Sequence, residues 1–197
     1  MARPRQFDED TVLDRAMLLF WARGYEGTST SELLAATGLT NSSLYKAFGN
    51  KEGLYHRVAE RYRNGPLSVR DAALAEPTSR QVIERLLLTT VDVLTGKATP
   101  HGCLDVNSGA GWEGNSESLR TALVDNRAVV RRRLGERLTE LGLPPDLPMG
   151  DDPQRVAMLV ATLLHGLAVQ AADGTSAKEL RELVHMFLAT WPMDPAR

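Results

Sequence analysis

The sequence predicts an all-α protein: an N-terminal three-helix helix-turn-helix domain over residues 1–64, then a helical bundle over residues 65–197, roughly nine helices in all. Three observations predict it. Apolar residues recur at intervals of three and four, the period of one helix face. No stretch alternates apolar and polar residues as a half-buried strand would. Helix start and stop signals fall where the periodic runs begin and end.

The first helix is expected from Asp8 to Arg23. Val12, Ala16, Leu19 and Phe20 share a face, with Leu13 and Met17 beside it. Asp8, Glu9 and Asp10 occupy the first turn, where the helix dipole favours negative charge, and Gly24 follows as a C-cap. A short second helix starts near Thr28 and Ser29, where Ser29 and Glu32 have capping-box spacing, and ends at Gly38. Thr40 opens a third helix, Asn41 to Phe48. A fourth begins after Asn50 and reaches at least Arg63. Gly65 and Pro66 interrupt it, and residues 67–74 continue as a connecting helix.

Pro77-Thr78-Ser79 opens the next helix, striped by Ile83, Leu86, Leu87, Thr90, Val91 and Leu94. Residues 95–115 are too rich in glycine for a helix to be assigned. A long helix from Ser116 to Leu141 repeats Leu119, Leu123, Asn126, Val130, Leu134 and Leu138 on one face. Asp152-Pro153 is an N-cap followed by proline at the first helical position. The segment behind it, residues 156–172, is apolar nearly all round, so it must be covered on several sides. Ser176 and Glu179 form a second capping box, and Leu180, Leu183, Val184, Phe187, Leu188 and Trp191 stripe the last helix.

Composition narrows the function classes. The 197 residues carry a net charge of -2, which argues against a protein that coats nucleic acid wholesale. Residues 1–63 hold nine Lys/Arg and eight Asp/Glu, a balance of +1, leaving -3 for the remainder. Any DNA reader of this charge must place its few cations locally. No apolar run is expected to reach the roughly 18–20 residues of a membrane span, and the charged N-terminus does not read as a secretory signal. A cytoplasmic location without a membrane partner is expected. The single cysteine, Cys103, excludes an internal disulfide and a multi-cysteine metal site. The four histidines lie far apart without metal-ligand spacing, and the glycine-rich stretch around Ser108 lacks the strand and full spacing of a nucleophile or phosphate loop. No enzyme activity, metal or cofactor is expected.

The third helix carries the functional signal. Gly38-Leu39-Thr40 makes a sharp turn, for which glycine is suited because it adopts positive φ. Asn41, Ser42, Ser43 and Lys46 then point outward while Leu44 and Phe48 point inward. Small polar side chains of this kind can approach base edges and phosphates closely. The run GYEGTSTSELLAATGLTNSSLYKAFGNKEGLY, residues 24–55, resembles the signature of TetR-type repressors. The elements of the match are Gly24-Tyr25, Thr28, the turn glycine, Leu44-Tyr45, Phe48, Lys51-Glu52 and Leu54. Asn41 departs from the lysine or arginine common at its place.

The resemblance implies DNA contacts from Thr28, Thr40, Asn41, Ser42, Ser43, Tyr45, Lys46 and Lys51, with Thr28 capping the second helix and touching phosphate. Lys51 opens the fourth helix, whose free amides would complete a phosphate clamp. The resemblance further implies a homodimer on a palindromic operator, released by a small-molecule effector. The last two helices either close the protomer core or pair with a second copy. The resemblance favours pairing, through Leu159, Leu163, Leu167, Leu180, Leu183 and Phe187. The middle helices would enclose the effector, with Leu87, Val91, Cys103, Trp112, Asn126, Val130 and His165 as candidate linings. Each of these is also an ordinary packing residue. His101 and Lys97 lie near Cys103 in sequence and could lower its pKa.

Overall fold

Helix boundaries fall where the capping chemistry puts them. The computed structural model describes residues 7–109 and 116–192; the expectation for Trp112 lies outside them. The helices are α1 Glu9–Arg23, α2 Thr30–Thr37, α3 Asn41–Phe48, α4 Lys51–Asn64, α5 Val69–Leu74, α6 Ser79–Leu94, α7 Leu104–Ser108, α8 Glu117–Leu141, α9 Pro153–Ala172 and α10 Ala177–Ala189, with a 3₁₀ turn, Pro66–Ser68, between α4 and α5. Among the described residues there is no strand. Both capping boxes form: Ser29 and Ser176 each accept from the amide three residues on, while Glu32 and Glu179 accept from the cap amides. Asp8, Thr40, Asn50, Thr78, Ser116 and Asp152 accept from first-turn amides of their helices. The short helix α7 was not expected. A single turn carries too little periodicity to stand out between glycine-rich flanks.

The α6 stripe is buried along its whole length. The α8 stripe is buried at both ends, through Leu119, Leu123, Leu134 and Leu138, but only half-buried at Asn126 and Val130. That gap is where the cavity described below opens. Helix α9 overturns one expectation: at 20 residues with mean hydropathy 1.5, it is long and apolar enough to cross a membrane by length and composition. Here it packs along α8 and also touches α6, α7 and α10. Val156, Ala157, Val160, Ala161, Leu164, Leu167, Ala168 and Ala171 are buried by those neighbours, as a helix apolar nearly all round requires. Arg80 of α6 donates to the Leu188 and Trp191 carbonyls at 2.9 and 2.8 Å, satisfying the end of α10.

The N-terminal helices are fastened to the bundle through α1. Phe20 meets Tyr55 edge-on at 5.2 Å, and Trp21 meets Tyr62 at 4.7 Å. The Trp21 indole donates to the Gly102 carbonyl at 2.8 Å. Asn107 of α7 donates to the Trp21 carbonyl at 2.8 Å, which the end of α1 would otherwise leave unpaired. Gly24 lies at φ 70°, and a Cβ there would sit 2.5 Å from the Asn107 carbonyl oxygen. Only glycine lets α1 end against α7 this closely. Arg61 of α4 pairs with Asp14 through Nε at 2.6 Å and with Asp10 through Nη1 at 2.7 Å, joining α4 to α1.

Candidate nucleic-acid interface and core cavity

Gly38 ends α2 at φ 72° and ψ 11°, the left-handed geometry that glycine adopts without a Cβ penalty. Leu39 is buried behind the turn. Thr40 then caps α3, its hydroxyl oxygen accepting from the Ser43 amide at 3.2 Å. Leu44 and Phe48 anchor α3 in the core. Their spacing of four leaves Asn41, Ser42, Tyr45 and Lys46 exposed on the opposite side, with Ser43 half-buried. The Thr40 hydroxyl also donates to Ser43 Oγ at 2.9 Å and lies 3.1 Å from Ser42 Oγ, clustering three hydroxyls at the helix start. Tyr45 is 55% exposed. Such exposure of a large ring leaves it free to meet a partner. Lys46 makes no ion pair among the described residues, so its charge is available to phosphate.

Two predicted contacts sit differently. Thr28 is fully buried, and its hydroxyl donates to the Gly24 carbonyl at 2.8 Å. The cap of α2 is Ser29. Thr28 therefore supports the end of α1 and has no side-chain surface for phosphate. Lys51 does open α4, as expected, but its ammonium rests 4.1 Å from the centroid of the Tyr25 ring. Partial burial there lowers its pKa, and Glu26 pulls it back up. Burial foremost, then Glu52 and Glu26, pushes the Tyr25 phenol up to about 12. The ring thus stays neutral beneath the cation.

The expected ligand linings divide. Leu87 and Val91 are fully buried core residues of α6 and line neither of two adjoining cavities among the middle helices. Cys103, Asn126, Val130 and His165 come together around the inner one, of about 40 Å³. The outer one, about 350 Å³, shares Arg63, Arg70, Asn126 and Val130 with it. Sequence reasoning missed the charged lining: Arg63 of α4, Arg70 of α5, Arg127 of α8 and Asp105 of α7. Arginines read as solvated by default, and only tertiary packing turns these inward.

Cys103 is buried, and burial pushes its thiol up. Asp105 adds to the rise and Arg70 opposes it. His101 and Lys97, which precede it in sequence, are exposed and are not among the groups that shift it. The thiol stays protonated near neutrality. Burial likewise raises the Asp105 carboxyl against the pull of Arg63, Arg70 and Arg127. It lowers the His165 imidazole, helped by the charges of Arg127 and Arg70.

The residues expected at a dimer interface also divide. Leu167 and Leu180 are buried within the single chain, at 6% and 0% exposure, and belong to its own core. Leu163 and Phe187 are half-buried. Leu159 and Leu183 are exposed, together with Met158, Val169 and Met186, which were not anticipated. On a helix apolar on every side, composition alone does not reveal which strip faces outward.

A glycine-hinged pair of short helices that holds a polar helical face outward is the architecture of a DNA-binding transcriptional regulator. The family model for bacterial regulatory proteins of the tetR family matches residues 12–58. The HTH-type transcriptional repressor ComR of Escherichia coli K12 is 31% identical over 192 residues, covering 96% of this chain and 91% of its own. A cysteine mutant of the TetR family transcriptional regulator CifR, solved with 26-bp double-strand operator DNA, is 38% identical. It superposes with a TM-score of 0.87, covering 96% of this chain and all of its own. Escherichia coli NemR in its reduced form shares the fold, with a TM-score of 0.78 at 24% identity. The chain belongs to the TetR family of transcriptional regulators, which act by binding DNA rather than as enzymes.

Proposed function

We propose that the chain is a cytoplasmic homodimeric repressor. Residues 1–64 bind a palindromic operator, and residues 65–197 dimerise and release the operator when a small molecule enters the core cavity. The observation that carries the reading is the outward polar face of α3 over the buried Leu44 and Phe48 anchors. Eight residues make about 12 Å of helix, close to the width of a major groove. In this reading Asn41, Ser42, Tyr45 and Lys46 meet base edges and phosphates. Thr40 and Ser43 hold the helix start, and Lys51 swings from Tyr25 to phosphate. CifR, solved on operator DNA, supports the DNA role.

Two-fold pairing supports specificity, because one α3 spans too few base pairs. The exposed strip of Met158, Leu159, Val169, Leu183 and Met186 on α9 and α10 supplies a self-complementary apolar face. Release is carried by helices that reach both places. Arg63 at one end of α4 lines the cavity, and Lys51 at its other end adjoins α3. Cys103 and Asp105 line the cavity beside α7, which is bonded to α1. A ligand that binds the released arrangement about tenfold more tightly shifts the equilibrium by about 1.4 kcal/mol.

The test is fluorescence anisotropy on operator DNA with Tyr45→Ala and Lys46→Ala. Each is expected to weaken binding at least about fivefold, roughly 1 kcal/mol, with the dimer unchanged by sedimentation. Wild-type affinity in both variants would refute the assignment of the α3 face.

A further inference from the structure

The cavity between α4, α5, α7, α8 and α9 gathers more guanidinium than carboxylate charge among the described residues. Three guanidiniums, Arg63, Arg70 and Arg127, line its inner end, and Asp105 is the one carboxylate beside them among the described residues. Among the described residues neither Arg63 nor Arg70 forms an ion pair or a side-chain hydrogen bond. Arg63 Nη1, Arg70 Nε and Asp105 Oδ1 are all buried without a partner. A guanidinium does not shed its proton in a protein, so Arg63 and Arg70 cannot be relieved by neutralisation. Buried charge is costly unless it is paired.

The outer chamber differs. Its one carboxylate among the described residues, Asp71, already pairs with Arg133 at 2.5 Å, and the rest of its wall is largely aliphatic, with Leu67, Leu74, Leu86, Val130 and Leu134. The two spaces share the Arg63 and Arg70 side chains. A molecule filling both therefore meets aliphatic carbon first and guanidinium last.

We propose that the effector is an organic anion, its carboxylate or similar acid group seated on Arg63, Arg70 and Arg127 and its apolar body lying in the outer chamber. Guanidinium N–H groups favour a planar acid group, which they can bind in pairs. An amine or other cation is repelled by the same cluster, and a neutral molecule leaves Arg63 and Arg70 without a counter-charge. The proposal rests on the effector reading above and narrows it to a chemical class. Arg63 belongs to α4, so an acid group that draws it toward Arg127 of α8 acts on the helix whose far end adjoins α3.

The test titrates the full chain with hexanoate, octanoate and phenylacetate and with their uncharged amides, by calorimetry and by thermal melting. The acids are expected to raise the melting temperature and the amides to bind at least about tenfold more weakly. Arg70→Gln is expected to lose the same factor for the acids while leaving amide affinity unchanged. Arg63→Gln serves should Arg70→Gln fail to fold, and the acid–amide comparison needs no variant. Amides binding as well as acids, or no acid raising the melt at roughly millimolar concentration, would overturn the proposal. Operator release is read separately. Acids that bind through Arg70 yet leave DNA affinity unchanged would uphold the anion site and defeat the release reading. Release by a neutral compound, with no acid bound, would do the reverse.

Discussion

Replacing Trp21 by phenylalanine removes the one indole bond that fastens α1 to the loop entering α7. The bond is short, 2.8 Å to the Gly102 carbonyl, and both partners are buried. Phenylalanine keeps most of the contact with Tyr62, whose ring centroid lies 4.7 Å away, but leaves the carbonyl without a donor. An unpaired buried acceptor costs about 1–3 kcal/mol. The space vacated by the smaller ring adds about 1 kcal/mol. A loss of about 2–4 kcal/mol lowers the melting temperature of a chain of this size by about 5–15 °C. Urea unfolding at equal chain concentration measures it, since any self-association makes stability depend on concentration. Trp21 lies away from α3, so operator affinity well below the melt changes less than about threefold. A stability loss under about 0.5 kcal/mol would refute the claim that this bond fastens α1 to the segment before α7.

Three further outcomes follow from the same geometry. Gly38→Ala places a Cβ in the left-handed region at φ 72°, where space is open, so the cost is backbone strain alone. It should lower stability by about 1–2 kcal/mol in urea unfolding and weaken operator binding, and Gly38→Asn should cost less. His165 is held below the ordinary 6.5 by burial and by Arg127 and Arg70, in a cavity it shares with Cys103 and Asp105. The unfolded chain therefore binds the proton more readily. The imidazole's contribution is fully present above pH 6.5 and is lost as pH falls toward its folded value. His165→Gln should flatten that part of the stability–pH curve, and an unchanged slope would contradict it. Leu183→Glu with Met186→Glu should yield a folded monomer by sedimentation, whereas Leu180→Glu, in the protomer core, should unfold the chain.

Much of this molecule was legible because helices announce themselves locally. Ser29 with Glu32, Thr40, Asn50, Asp152 and Ser176 with Glu179 are caps written into the sequence, and each caps in the structure. The anchors Leu44 and Phe48 and the outward face between them followed from a spacing of four. What stayed hidden depends on contacts between distant segments. Thr28 carries the hydroxyl of a phosphate contact, yet Gly24 takes it inward. Asp105 and the arginines of α4, α5 and α8 look like solvated charge until the helices fold them around one space. Helix α9 is apolar on so many sides that only packing separates Leu167, in the core, from Met158, on the surface.

The account stands or falls on what duplex the chain chooses. Selection of bound duplex from a random pool by the purified protein, at near-physiological salt, tests this directly. The account predicts two inverted half-sites centred one helical turn apart, about 34–36 Å, or a multiple of that, with enrichment lost in Tyr45→Ala. A pool that stays random, or a single asymmetric site that Tyr45→Ala still enriches, would contradict it.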